Sequence, residues 1–374
     1  LGWIIKQHKK WKESRRLFVE YILENGLKLR FDYDIHFDKS LIKEYLRNGA
    51  LVLIKTEFVE KINPPPPYNT NSLLSELAGK YRLDAKYAMK ILQDLFESGL
   101  ITYHRTDSIH VSPTGLQVAK EYVNNVLKEP KLLKLRSWGS EGTHECIRPT
   151  RPYDAETLRK LLINGTLKSF VNFVYVHFKV YDIIFRRFIA SQMEPATVVK
   201  TRLTIKIGEY VKTFEFVSKV LEPGFTKILP ISVINLDGIE KGSVIRIVDY
   251  RIWKGSLYPL YKQGDVIKLM KERNIGRPST YAKILSSILS HGYVIESKNK
   301  YLVPTSLGIK VYEYLTTNYG FLVSEETTRK LERVMDEIEK GRKSYVDTLR
   351  ELFTVLNRAY IGEEGVEKAK AIET

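Results

Sequence analysis

The chain of 374 residues is long enough for two or three domains, and a hydrophobic content of 43% is enough to give each a core. Lys and Arg outnumber Asp and Glu by 60 to 44, a formal charge of +16 that makes a polyanion the natural partner class. A lone cysteine, Cys146, excludes a disulfide framework and a thiolate zinc finger; the absence of any run of about 18 apolar residues, with an opening LGWIIKQHKKWKESRR that turns basic early, argues against a membrane span or signal peptide.

A cytoplasmic protein is therefore expected. It begins without methionine in an amphipathic helix, which reads as part of a longer polypeptide. Abundant Lys, Glu and Tyr with few Met and Cys also suits a heat-stable source. LKLRFDYDIHFDKS (27–40) and ALVLIKTEFVEKI (50–62) alternate in the manner of strands and stop at NPPPPYNT, where successive prolines mark a boundary. Beyond it Asp84 is placed to cap a helix that carries Ala88, Ile91, Leu92, Leu95 and Phe96 on one face, and Gly99 stands at its C-terminal end. LITY then predicts a short strand, and Ser112-Pro113 opens a helix through TGLQVAKEYVNNVL. From about Phe170 to Tyr261 the pattern predicts mostly strands. The last hundred residues return to helices, among them SEETTRKLERVMDEIEKG with Ser324 as cap and acidic residues in the first turn.

The expected fold class is thus α+β and multidomain. Residues 1–30 are assigned to the first part of a terminal helical domain, 31–62 and 153–262 to a β-rich unit, 63–152 to an inserted helical domain, and 263–374 to a terminal DNA-binding domain. A weak internal repeat supports this plan. GLITYHRTDSIHVSPTGLQVAKEYV (99–123) and GYVIESKNKYLVPTSLGIKVYEYL (292–315) both read as helix-ending Gly, strand, hairpin turn, strand and capped helix, an order resembling the winged helix.

Within the first copy, a strand over LITYHRTDS would put Tyr103, Arg105 and Asp107 on one face. A tyrosine hydroxyl titrates near 10 and needs help to act as a nucleophile at neutral pH. Arg105 offers a cation that also binds phosphate oxygens in pairs, and Asp107 is placed to hold that arginine. The same spacing fits a wing strand with a polar outer face and no chemistry; the second copy, VIESKNK, has no tyrosine there. EGTHECIRPTRP (141–152) groups Glu141, His144, Glu145, Arg148 and Arg151, suited to a phosphodiester or to proton transfer, or simply a loop exit stiffened by prolines. In NIGRPSTYAKIL (274–285), Gly276 permits close approach, Arg277 precedes a proline, and Ser279 or Thr280 would cap a helix whose free N–H groups can receive a phosphate. Asp32, Asp34, His36 and Asp38 would share a strand face able to ligate a divalent ion, but a solvated strand face is the simpler account, and no metal site is assigned. DYRIWKGSLYPLYKQG interleaves aromatic and basic residues in a way that suits either stacking of single-stranded bases or core packing.

Taken together these motifs resemble the type IA DNA topoisomerases: LITYHRTDS their active-site signature, THECIRPT their histidine motif, IGRPSTYA their late arginine motif, with NPPPPYNTNSLL and FIASQM (188–193) matching in order. Within that family the segments WGSEGTHECIRPTRPYDAETL, LYKQGDVIKLMKERNIGRPSTYAKI and SEETTRKLERVMDEIEKG look most like the topoisomerase part of reverse gyrases. The resemblance implies a ring with a β-rich arch and two winged-helix-like domains. In it Tyr103 cleaves a DNA strand and keeps the 5′ phosphate, with Arg105 and His144 as catalytic partners. Thr106, Asp107 and Glu145 would support them, and Arg148, Arg277, Ser279 and Thr280 would bind DNA. It also implies Mg²⁺ held by a Toprim domain that the family places upstream, and ATP used only through a helicase module. The expected partners are single-stranded and duplex DNA and a Toprim- and helicase-bearing N-terminal part or subunit. A piece of an ordinary topoisomerase I or III, or a winged-helix DNA-binding module without chemistry, are the alternatives.

Overall fold

The computed structural model describes all residues except 141, 143, 169, 170, 321 and 355–374. From the N-terminus come α1 (Gly2–Glu13), β1 (Arg15–Leu23), β2 (Lys28–Tyr33), α2 (Leu41–Asn48) and β3 (Ala50–Ile62). A helical region follows: α3 (Thr70–Tyr81), α4 (Ala85–Glu97), α5 (Pro113–Glu121, continued by a π-helical turn over Tyr122–Val126), α6 (Ala155–Ile163) and α7 (Tyr175–Ser191). Strands β4 (Ala196–Ile207), β5 (Tyr210–Glu222), β6 (Val244–Ile245) and β7 (Ile247–Ser256) lead to the terminal part, which contains α8 (Gln263–Glu272), α9 (Tyr281–Ser290), β8 (Val294–Glu296), β9 (Leu302–Pro304), α10 (Ser306–Asn318) and α11 (Glu325–Glu339).

Two antiparallel sheets, in the orders β2-β1-β7 and β5-β4-β3-β6, share one core. Alternation makes this possible. Leu17, Val19, Tyr21 and Leu23 of β1 are buried while the residues between them are not, and Leu29, Phe31 and Tyr33 of β2 meet Leu203, Ile205 and Ile207 of β4 in the same cluster. Each such fully buried aliphatic or aromatic side chain contributes roughly 1.5–3 kcal/mol. The two phenols that must enter this core, Tyr21 and Tyr33, bond to each other at 2.8 Å, so neither hydroxyl is left without a partner.

A second cluster is built from the helices. Leu73, Leu74 and Leu77 of α3 join Ala88, Ile91, Leu92 and Leu95 of α4 and Val180, Ile184, Phe185 and Phe188 of α7, with Ile267 and Leu285 from the terminal part. Strand β4 ties the clusters together, because its first residues, Ala196 and Val198, belong to the helical core and its last, Leu203 to Ile207, to the sheet core. Three of the caps read from sequence are formed. Asp84 accepts from the Tyr87 N–H, Ser112 from Gly115 N–H with Pro113 at the first helical position, and Ser324 from Thr327 N–H.

Four expectations are corrected. The strand β1, over RRLFVEYIL, lies where helix was expected to continue toward residue 30; its alternation was hidden by arginines at the start and a glutamate in the middle. The segment FDYDIHFD leaves the sheet at Tyr33, after which Asp34 and Asp38 accept turn N–H bonds from His36 and Ser40, so Asp32, Asp34, His36 and Asp38 do not share a strand face. Residues 175–191, expected in a mostly stranded stretch, form the long helix α7, whose polar face is only the narrow row Lys179, Asp182 and Arg186 while most of the β-branched and aromatic residues on its other sides are buried. The first copy of the repeat makes no hairpin: Ile101 pairs with Pro149 and Tyr68 with Ile147 as isolated bridges, whereas the second copy forms β8–β9 and the Thr305-capped α10.

Candidate active site around Tyr103

Because Leu100–Ser108 is not a strand, Tyr103, Arg105 and Asp107 do not share a strand face, and they point to three different neighbourhoods. What fixes the segment is a clasp from the start of α3. The Thr70 hydroxyl donates to the carbonyl oxygens of His104 (2.7 Å) and Thr106 (2.9 Å) and accepts from the Thr106 N–H at 2.9 Å. The Thr70 N–H bonds the Thr106 carbonyl at 2.9 Å, and the Asn69 amide donates to the Asp107 carbonyl at 2.9 Å while its oxygen caps α3. On the other side Thr102 donates from its hydroxyl to the Cys146 carbonyl at 2.7 Å and from its N–H to the Arg148 carbonyl at 2.9 Å. The chain from 100 to 107 is thus sewn to both α3 and the 146–150 segment.

Tyr103, half-buried, lies with its ring 5.3 Å from Phe96 and 5.0 Å from His144, an exposed imidazole carried in from the 144–148 segment. Tyr103 and His144, nominated separately from sequence, therefore meet. The exposed Arg105 makes one long bond, 3.3 Å, to the Gln93 amide oxygen and lines a cleft of about 480 Å³ with Lys86, Lys283 and Ser279. Asp107 does not hold Arg105 as expected. It lines a different cleft, of about 400 Å³, with Lys271 and Arg277.

The other nominated residues divide. Arg148 is spent on protein partners: it is buried, donates to both carboxylate oxygens of Glu145 at 2.8 and 2.7 Å and to the Pro149 carbonyl at 2.9 Å, and crosses α5 where a Cβ on Gly115 would come within 2.6 Å of its Nε. Burial pushes the Glu145 carboxyl up, but the Arg148 bonds and charge and the Ser112 bonds outweigh it and hold it below its ordinary value. Arg277 is an ion-paired strut as it stands, with Asp336 at 2.9 Å and Glu332 at 3.1 Å. Thr280 precedes α9 without capping it; its hydroxyl instead accepts the Arg277 N–H at 2.8 Å, and Ser279 makes no cap bond either. Thr106 is buried and its hydroxyl accepts the Ser108 N–H at 3.0 Å, so its part is to shape the loop. Glu141 lies outside the described residues. Among the described residues no three His, Cys, Asp or Glu side chains converge as a metal site.

Sequence reasoning missed Asn69, Thr70 and Thr102, whose caps and hydroxyls are ordinary locally and matter only through tertiary contacts. It also passed over His104. That imidazole is completely buried between Phe96 and Tyr103, and among the described residues neither ring nitrogen has a hydrogen-bond partner. Burial, with Arg105 nearby, pushes its pKa down to about 4 from 6.5. A depressed histidine contributes stability that is fully present above the unfolded value and lost as pH falls through the folded one. The protein should therefore lose stability between about pH 6.5 and 4, and His104→Met should flatten that part of a denaturation-versus-pH curve. An unchanged curve would mean that His104 is not held neutral.

The family described as DNA topoisomerase matches residues 20–350. A reverse gyrase of Pyrococcus furiosus is 44% identical over 362 residues, covering 96% of this chain and 29% of that protein. A reverse gyrase of Aeropyrum pernix is 40% identical, again over 96% of this chain and 29% of the relative. Among solved structures, full-length topoisomerase I from Thermotoga maritima superposes with a TM-score of 0.71 at 26% identity, covering 96% of this chain and 61% of that one. The chain spans less than a third of the length of these reverse gyrases.

Proposed function

The chain belongs to the type IA DNA topoisomerase family, and from that premise we propose that it cleaves and rejoins one DNA strand through Tyr103, as part of a reverse gyrase topoisomerase module. The observation that carries this reading is the meeting of the Tyr103 and His144 rings on a loop clasped by Thr70 and Thr102. The Tyr103 oxygen would attack the scissile phosphorus, forming a phosphotyrosine on the 5′ side while the P–O3′ bond breaks. The phenol gives up its proton and the departing 3′ oxygen takes one. The bond energy is retained in the ester, so the reverse step reseals the strand without ATP.

His144 is the group within reach of that exchange and contacts the phosphate. Arg105, carrying a single long protein bond among the described residues, is available to steady it. Asp107 acts apart from Arg105, toward Lys271 and Arg277. Mg²⁺ would offset phosphate charge in such a reaction, but the described side chains do not fit it. We assign that ion to a Toprim-bearing partner segment and route no step through it. ATP-dependent positive supercoiling would require a helicase part, and the substrates would be single-stranded and duplex DNA in the cytoplasm. Among the described residues no helix is long and apolar enough to cross a membrane.

We divide the chain for this function into a tyrosine-bearing insert at 63–152, an arch from 31–62 and 153–262, and terminal parts at 1–30 and 263–374. Two adjustments follow from packing: β1 joins the arch, and α6 and α7 join the helical core. For Arg277 the proposal is that a phosphate replaces Asp336. Arg277→Ala should then lower the salt slope of single-strand binding by about one, whereas an unchanged slope would leave it a strut between α9 and α11. The overall test is covalent trapping on end-labelled single-stranded DNA with Mg²⁺, with and without a supplied Toprim segment. An adduct mapped to Tyr103 supports the reading, and DNA binding without any adduct in the completed complex favours a winged-helix binding module.

A further inference from the structure

The stretch DYRIWKGSLYPLYKQG is not used by the site around Tyr103, and part of it lines a cleft of about 760 Å³ between α1, the β2-β1-β7 sheet and the turn joining β8 to β9. Two aromatic platforms border this cleft. Phe18 and Trp253 lie nearly parallel, 17° apart with centroids at 5.7 Å, and Trp11 is stacked on His8 at 9° and 5.9 Å. Each platform has a guanidinium over it: Arg30 at 5.7 Å from the Phe18 ring and Arg15 at 4.4 Å from Trp11. Trp253 is 40% exposed, a large apolar surface left facing solvent beside charged groups.

Local backbone chemistry prepares the platform. A Cβ on Gly255 would come within 2.7 Å of the Phe18 ring, so glycine is what lets that ring lie across β7. The charge of the cleft is one-sided. Its lining carboxylate, Asp32, is neutralised by Lys212 at 2.7 Å, while Arg30 and Lys254 have no carboxylate partner among the described residues. Flat rings flanked by unpaired cations suit a ligand with stackable faces and a polyanionic backbone. A single-stranded polynucleotide supplies both in each repeating unit, a base face for the rings and a phosphate for Arg30 or Lys254.

We propose that this cleft is a second binding site for single-stranded DNA, which stacks its bases on Trp253 with Phe18 and on Trp11 while Arg30 and Lys254 meet its phosphates. It shares no lining residue with the clefts that Arg105 and Asp107 line. The site rests on the reading of this chain as a DNA strand-transfer enzyme, for which it would hold a strand away from the break.

The test is titration of the full chain with oligothymidylate across a range of salt. Stacking on an aromatic side chain predicts that Trp253→Ala weakens binding about tenfold at fixed salt, while Trp253→Phe, which keeps a ring, stays near the parent. Arg30→Ala and Lys254→Ala should each lower the salt slope by about one. Unchanged affinity in Trp253→Ala, or unchanged slopes in both charge variants, would overturn the site. The two readings fail separately. An adduct at Tyr103 with oligothymidylate affinity indifferent to Trp253 removes the cleft alone. Loss of affinity in Trp253→Ala with no adduct in the completed complex keeps the cleft and removes strand transfer.

Discussion

Tyr103→Phe should abolish covalent attachment to DNA, reducing cleavage by more than about 10³-fold, while leaving single-strand affinity and thermal stability near the parent values. The separation follows from what the hydroxyl does and does not touch. The ring is held by Phe96 and His144, contacts that a phenylalanine keeps, whereas the oxygen has no protein hydrogen bond among the described residues. Its removal therefore leaves no unsatisfied partner behind and costs the fold little. The measurement is a denaturing gel of trapped complexes with the Toprim-bearing part supplied, run beside a binding titration. Full activity in the variant would refute the assignment of the nucleophile and leave a protein that only binds DNA. His144→Ala sharpens the result, because the imidazole approaches the same reacting atoms: partial loss, with the adduct still on Tyr103, is the expected outcome.

How far such a site can be read from sequence depends on whether its determinants are local. The caps at Asp84, Ser112 and Ser324 were legible because a side-chain oxygen satisfying an N–H two or three residues on needs no other part of the chain. The sheet core was legible in β2 and β3 but not in β1, where Arg16 and Glu20 on the outer face, with Arg15 at the start, mask a regular buried face of Leu17, Val19 and Tyr21. The reactive loop was nominated on the wrong geometry. A period-two argument placed Tyr103, Arg105 and Asp107 together, yet they diverge because the loop's carbonyls are spent on Thr70 and Asn69, and its edge on the segment after His144. That clasp joins residues more than thirty positions apart, which no short window contains. Burial was equally invisible: Arg148 and Arg277 look alike in sequence, but one is locked in the interior and the other stands at the rim of a cleft.

That contrast predicts the largest stability effect in the molecule. Arg148→Ala should destabilise the fold by about 3–5 kcal/mol, because it strips the cation from a partly buried carboxylate. Glu145 would keep only its Ser112 bonds, the N–H at 3.2 Å among them, and the Pro149 carbonyl would lose its donor. The damage should also depend on pH in a definite sense. In the parent, Glu145 has a folded value below its ordinary 4.5, so its contribution is complete above that value and is lost as pH falls through the folded one. In the variant burial, the largest influence, is opposed only by the Ser112 bonds and raises the carboxyl, so the penalty is full at neutral pH and is relieved as Glu145 takes up a proton. Both changes narrow the gap between the two proteins in acid. Urea denaturation at pH 7 and near pH 4 reads it directly. Replacing the pair together, Glu145→Leu with Arg148→Met, should recover much of the loss, since matched apolar groups remove the uncompensated charge. If Arg148→Ala instead leaves stability unchanged and weakens DNA binding, the guanidinium is a DNA contact after all, and the strut drawn from its bonds to Glu145 is wrong.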